Sequence, residues 1–201
     1  GLIQAGNMSS TDLSGASRLY ISVVVAAGVC VVLGSLNVLL RAPVDPNWLV
    51  LAVLTLLSGS FTVRIPGIPA RLSVSETFVF SAALLYGPPA ATMIVVLDTL
   101  VISFWLGRQS SPPWYRLAFN TAAAAVAIWV ATHVFYFFTD IQPLSVAHSS
   151  IVRLLPWLFL LATVYFLLNS SLVAIVVGLN KRRSPLIVWR QSFLWLSLNY
   201  F

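Results

Sequence analysis

Apolar runs of about the length of a membrane helix dominate this sequence and limit what it can fold into. Hydrophobic residues make up 59% of the 201 residues and charged residues only 8%, which is more apolar surface than a water-soluble domain could bury. We therefore predict an all-α polytopic membrane helix bundle with six complete transmembrane helices and the start of a seventh. The six runs are approximately 19–40, 48–63, 72–86, 88–105, 117–138 and 154–179, and the seventh begins near 187.

The chain divides into a short polar start and one membrane domain. Residues 1–17 are small and polar and lack the basic start and cleavage site of a secretory signal, so we predict a flexible cytoplasmic N-terminal tail there. Residues 18–201 are predicted to form a single transmembrane helical domain. Its last run holds about fifteen residues, fewer than the roughly 20 that a crossing needs, so we expect the domain to continue beyond residue 201.

Proline and glycine predict two interruptions of the helices. Between Arg64 and Arg71, two prolines and a glycine exclude a helix, and the flanking arginines place the segment at a membrane surface. At Gly87-Pro88-Pro89, proline fits the first turn of a new helix but not a helix interior. The third and fourth runs are therefore predicted to form a tight antiparallel hairpin.

The basic residues predict the orientation of the domain. If the runs alternate across the membrane, nine of the eleven basic residues fall on one side. We place that side and the N-terminus in the cytoplasm, because loops rich in lysine and arginine stay there. The net charge of +6 belongs to such loops, so we predict a lipid bilayer and no nucleic acid as the partner. The nine are Arg18, Arg64, Arg71, Arg108, Arg116, Lys181, Arg182, Arg183 and Arg190, and the other two are Arg41 and Arg153.

Asp98 stands near the middle of the fourth run. It lies about 15 Å along the helix from Pro88, close to the centre of a ~30 Å hydrocarbon core. A bare carboxylate there costs about 3 kcal/mol or more, so it must be neutral, paired or facing a wet cavity. A ligand or proton site and a buried structural acid both remain open as interpretations. Asn169, Ser170 and Ser171, near mid-depth of the sixth run, are its predicted partners in a polar core or ligand-binding site.

Glu76 lies one turn inside the cytoplasmic end of the third run. A negative side chain is favoured at a helix N-terminus, and an arginine from a neighbouring loop can reach it there. We therefore predict structural ion pairing of Glu76 with Arg64, Arg71 or Arg116 rather than a role in a site.

No motif for catalysis, metal binding or a nucleotide cofactor is present in the sequence. His133 and His148 have no histidine or acid at three- or four-residue spacing, as a metal site on one helix face would require. No serine stands in a Gly-x-Ser-x-Gly setting, and glycine-rich phosphate loops are absent. Cys30 is the only cysteine, which excludes a disulfide framework. We expect no enzymatic activity, no catalytic or metal-ligating residue and no cofactor.

Several segments resemble the N-terminal multi-spanning membrane regions of bacterial signalling proteins. They are IPGIPARLSVSETFVF at 65–80, LLYGP at 84–88, Asp98, Trp189-Arg190 and LNYF at 198–201. The resemblance implies a sensor domain in the bacterial inner membrane that precedes a cytoplasmic GGDEF or HD-GYP domain, which make or break cyclic di-GMP. The Tyr-Gly-Pro turn before a helix rich in small residues is also similar, more loosely, to substrate-binding subunits of energy-coupling-factor transporters.

Three functions follow as hypotheses. The first is a sensory or small-ligand-binding domain that passes a signal to a cytoplasmic output domain or partner. The second is a transporter subunit, which would have an occluded ligand pocket open to the outside. The third is a structural subunit without a pocket, in which small-residue faces contact other membrane subunits or a second copy of the chain. Those faces are Ala26, Cys30 and Gly34 in the first run and Ala123, Ala127 and Ala131 in the fifth.

Overall fold

The computed structural model describes residues 14–41, 46–59, 62–64, 71–73, 75–107, 114–141, 143–144 and 151–190. Seven helices and two short strands lie within these ranges. The helices are α1 (Gly15–Arg41), α2 (Trp48–Gly59), α3 (Ser75–Tyr86), α4 (Pro88–Gly107), α5 (Trp114–Thr139), α6 (Ile151–Lys181) and α7 (Pro185–Trp189), and the strands are β1 (Thr62–Arg64) and β2 (Arg71–Ser73).

The described helices differ in whether they could cross a membrane. Three are long and apolar enough by length and composition, namely Gly15–Arg41, Trp114–Thr139 and Leu154–Lys181. Shorter apolar helices are found at Trp48–Ser58 and Pro88–Ile102. The helical, membrane-type architecture is thus confirmed, whereas the count of six complete spans and a seventh stays a prediction.

Two short strands are found where the second and third apolar runs predicted the end of one helix and the start of the next. Helix α2 ends at Gly59 and helix α3 begins at Ser75, so each has 12 residues and is about 18 Å long. Between them β1 and β2 pair antiparallel, with Thr62 opposite Ser73 and Arg64 opposite Arg71. The helical prediction for residues 62–63 and 72–73 was wrong, because α2 stops at Gly59, a poor helix former, and these residues pair in β1 and β2 instead. Residues 65–70 themselves lie outside the described residues.

The turn between α3 and α4 follows the prediction from glycine and proline. Gly87 has a φ of +83°, a left-handed conformation that glycine adopts without a steric penalty, and α4 begins at Pro88. The hydroxyl of Tyr136 on α5 donates to the carbonyl oxygens of Ala83 (2.8 Å) and Leu84 (3.0 Å) at the end of α3. Both carbonyls also accept a backbone hydrogen bond, from the N–H of Gly87 and of Leu144 respectively, so Tyr136 adds a second bond to each and fixes the hairpin against α5.

Helix α5 is the centre of the bundle, since it packs against α1, α4 and α6. The predicted small-residue face of Ala123, Ala127 and Ala131 is confirmed as a packing face, and all three side chains are fully buried within the chain. Three methyl groups in a row bring the neighbouring helix backbones close together, as in other membrane bundles.

The contact face of α1 differs from the predicted one. Ala26, Cys30 and Gly34 are exposed, whereas Gly28 is buried against Ala122 of α5. A Cβ atom added to Gly28 would lie 2.5 Å from the Cβ atom of Ala122. Both faces of α1 offer small residues at helical spacing, so the four-residue spacing alone could not identify the buried one.

Candidate ligand cavity

A cavity of about 460 Å³ opens between α3, α4, α5 and α6. It lies toward the end of the bundle where α4 and α6 finish and α5 begins. Polar and apolar side chains share its wall: Ser75, Glu76, Val79, Phe80, Val95, Asp98, Thr99, Ile102, Asn120, Ala124, Tyr165, Asn169 and Val173. A volume of this size matches the lower part of the range for small-molecule sites in proteins.

Asp98 is the buried acid of this cavity, with only 7% of its surface exposed. Its Oδ2 atom accepts a 3.0 Å hydrogen bond from the hydroxyl of Ser75. Its Oδ1 atom is buried and has no hydrogen-bond partner among the described residues. Buried polar atoms are nearly always paired, so this unpaired oxygen is an unusual feature of a residue that lines the cavity.

The short length of α3 explains why Ser75 reaches Asp98. Helix α3 climbs about 18 Å from Ser75 to Tyr86, and α4 then returns about 15 Å from Pro88 to Asp98. The two side chains therefore meet at the same level, halfway along α4. The N-terminus of α3 lies at that level too, so the positive end of its dipole is next to the carboxylate.

Glu76 faces the same cavity from the first turn of α3. Glu76 and Asp98 are both acids, so their carboxylates repel each other when both are ionised. The structure shows no ion pair between Glu76 and Arg116, whose guanidinium lies 6.0 Å from the ring centroid of Tyr115 instead. The predicted pairing with Arg64 or Arg71 depends on side chains outside the described part of the structure and stays a prediction. Glu76 thus belongs to the cavity wall, a role that sequence reasoning did not give it.

The three predicted partners of Asp98 on α6 point in different directions. Asn169 lines the cavity together with Asp98. The hydroxyl of Ser170 donates to the carbonyl oxygen of Phe166 (2.6 Å) and accepts a 2.9 Å hydrogen bond from Nε1 of Trp189 on α7. Ser171 is half-buried and is not part of the cavity wall. Consecutive residues on a helix point about 100° apart, and of these three only Asn169 lines the cavity.

Several wall residues were missed by sequence reasoning. Phe80 and Tyr165 meet edge to face, with ring centroids 5.6 Å apart, and form an aromatic side of the cavity. Asn120 is a lone amide in the apolar fifth run, the same kind of signal that drew attention to Asn169. Ser75 and Tyr165 carried no such signal, because serine and tyrosine are common in membrane helices without a special role.

No metal site is apparent in the part of the chain that the structure describes, which holds no group of three or more histidine, cysteine or acidic side chains suited to an ion. Nδ1 of His133 is 2.7 Å from the carbonyl oxygen of Trp129 in its own helix. His148 lies outside the described residues.

These features define a class of protein, namely a helical membrane-type domain around a cavity whose largely apolar wall holds two acids. A family model matches residues 47–201, and the chain belongs to that family, MASE9, which comprises membrane-associated sensory domains. Comparison with curated proteins and with solved structures finds no significant match. The matched range includes every residue of the cavity wall, whereas α1 lies outside it.

Proposed function

We propose that this chain is the sensory domain of a multi-pass protein of the bacterial inner membrane, with its N-terminus in the cytoplasm, and that a small ligand binds in the cavity. The domain has no catalytic activity of its own. Ligand binding shifts the helices around the cavity, and the shift reaches a cytoplasmic output domain or partner through α6 and α7. Membership of MASE9 supports a sensory role for a domain of this kind.

The buried, unpaired Oδ1 atom of Asp98 is the observation that supports a ligand site most directly. A purely structural acid would be expected to have both oxygens satisfied, because an unsatisfied buried group costs about 1–3 kcal/mol and more when charged. Asp98 lines the cavity, so a donor from a ligand there could satisfy its carboxyl group.

Helix α6 supports the proposed route of the signal. Asn169 contributes to the cavity wall, and the next residue, Ser170, holds Trp189 of α7 through the 2.9 Å hydrogen bond. The chain turns back after Lys181, and the turn packs against Gly178 of α6, where an added Cβ atom would lie 2.9 Å from the carbonyl oxygen of Arg183. A movement of α6 at the cavity therefore acts on α7 through a direct contact.

The position of the cavity favours sensing over the two alternatives. In the predicted orientation, the ends of α4 and α6 beside the cavity face the cytoplasm, whereas an uptake subunit needs a pocket that opens outside. A structural subunit needs no cavity, and of its two predicted contact faces the one on α5 is buried inside the chain, whereas the one on α1 is exposed. The resemblance to regions that precede GGDEF or HD-GYP domains supports cyclic di-GMP as the readout.

Asp98→Asn in the full-length protein tests the proposal. The substitution keeps the shape and removes the carboxylate, so we expect a loss of at least about tenfold in the ligand-dependent change of cellular cyclic di-GMP. Asp140→Asn is the matched control, because Asp140 is an exposed acid outside the cavity with a φ of +48° that asparagine tolerates. An unchanged response from folded Asp98→Asn protein in the membrane would remove Asp98 from the site.

Trp189→Phe tests the coupling between α6 and α7. The variant keeps an aromatic ring and loses the donor to Ser170, a hydrogen bond worth about 1 kcal/mol, so we expect the basal output to shift by roughly fivefold. Trp114→Phe is the control, since Trp114 is 78% exposed and lies at the start of α5. Equal basal outputs from the two variants at equal protein levels would argue against this route.

A further inference from the structure

We propose that the ligand of the cavity is a small organic cation, with an ammonium group held between Asp98 and Glu76 and apolar substituents against Phe80 and Tyr165. The inference rests on the proposed function, because it names the chemical class of the ligand for the same site.

The charge of the cavity wall is the first argument. Asp98 and Glu76 both contribute to it, and no basic side chain does so among the described residues. Two carboxylates in one cavity repel each other when both are ionised, and a cation between them relieves the repulsion. The positive end of the α3 dipole is equivalent to only about half a charge, so it offsets a fraction of two negative charges.

The free oxygen of Asp98 is the second argument. Ser75 occupies Oδ2, and Oδ1 has no hydrogen-bond partner among the described residues, in a side chain that is 93% buried (7% exposed). When ionised, the carboxyl group of Asp98 only accepts hydrogen bonds, so a ligand that donates one would satisfy it. A charged N–H donor suits it best, because charge-assisted hydrogen bonds are about twice as strong as neutral ones.

The aromatic side of the cavity is the third argument. Phe80 and Tyr165 lie nearly perpendicular, at 88°, and both line the cavity. Aromatic faces attract ammonium groups through their quadrupole, and the attraction grows where water is excluded. Tyr165 is a buried residue, so this contact would be shielded from bulk water.

The rest of the wall distinguishes an organic cation from a metal ion. Calcium takes six to eight oxygen ligands and magnesium keeps a near-ideal octahedron, whereas much of this wall is valine, isoleucine, alanine and phenylalanine. A cavity of about 460 Å³ is also far larger than a bare ion. Apolar substituents on nitrogen would use both the space and the apolar surface.

Binding to the purified protein in lipid nanodiscs tests the ligand class with matched probes. The cations are choline and butylammonium, their uncharged counterparts are 3,3-dimethylbutan-1-ol and 1-butanol, and butyrate and magnesium chloride complete the set. Thermal unfolding and titration calorimetry measure the binding. We expect at least one organic cation to bind at least about tenfold more tightly than its uncharged counterpart.

The variants assign the binding to the two acids. We expect Asp98→Asn to abolish the preference for the cation and Glu76→Gln, at an exposed position, to reduce it less, with Asp140→Asn unchanged. The inference is overturned if an uncharged probe, butyrate or magnesium binds as tightly as the organic cations or more tightly. It is also overturned if neither cation binds, or if Asp98→Asn protein still prefers the cation over its uncharged counterpart. An uncharged probe that still requires the cavity would leave the proposed ligand site intact. If the output of the full-length protein ignores Asp98→Asn, the proposed function fails whichever probe binds.

Discussion

Replacing Gly28 with alanine is expected to push α1 away from α5 and to lower the free energy of unfolding by about 1–3 kcal/mol. The new Cβ atom would lie 2.5 Å from the Cβ atom of Ala122 and 2.6 Å from its Cα atom, much closer than real carbon contacts. Because the second of these atoms belongs to the backbone, removing the methyl group of Ala122 should not restore the stability.

Gly34→Ala is the matched control for Gly28→Ala. It makes the same change in the same helix at a position where an added Cβ atom meets nothing within 4 Å. Alanine is the better helix former by about 1 kcal/mol in water, so the control should be neutral or slightly stabilised. Thermal unfolding in lipid nanodiscs measures both variants, and equal midpoints would mean that α1 does not pack on α5 through Gly28.

Ala124→Leu is expected to block the cavity without destabilising the protein. Ala124 is buried on α5 and its side chain lines the cavity, so the larger side chain would occupy space that is now empty. We expect a loss of at least about tenfold in the response of the full-length protein and an unfolding midpoint no lower than that of the wild type.

Ala127→Leu is the control on the same helix, and it is expected to destabilise the fold without filling the cavity. Ala127 is fully buried, and it does not line the cavity, so the same substitution there overpacks the core at a cost of about 1–3 kcal/mol. Response assays and thermal unfolding of the two variants separate a blocked site from a damaged fold. A normal response from folded Ala124→Leu protein would contradict a ligand site in this cavity.

Local chemistry made part of this fold predictable from the sequence. The turn at Gly87-Pro88 follows from the backbone properties of two residue types, and the packing face of α5 follows from alanines at regular spacing. The strands around residues 62–64 and 71–73 were missed because their short apolar segments continue the composition of the adjoining helices. Composition alone does not say where such a run stops being helical.

The site could be predicted from the sequence only at positions where a single polar residue interrupts an apolar run. Asp98 stands out in any apolar run, and Asn169 stands out nearly as clearly. The partner Ser75 lies 23 positions before Asp98 and meets it only because α3 is short, which is a property of the whole hairpin. Glu76 looked like an ordinary helix-end acid until α3 was seen to begin at the level of Asp98.

The adjacency of Asn169 and Ser170 sets the size of movement that a signal needs. Side chains extend about 5 Å from a helix axis, so a rotation of α6 by about 20° displaces the atoms near its surface by roughly 1.7 Å. A displacement of that size directed along the 2.9 Å bond between Ser170 and Trp189 would lengthen it beyond the range of a hydrogen bond. A small rotation of α6 about its own axis at the cavity could thus break the hydrogen bond that holds α7.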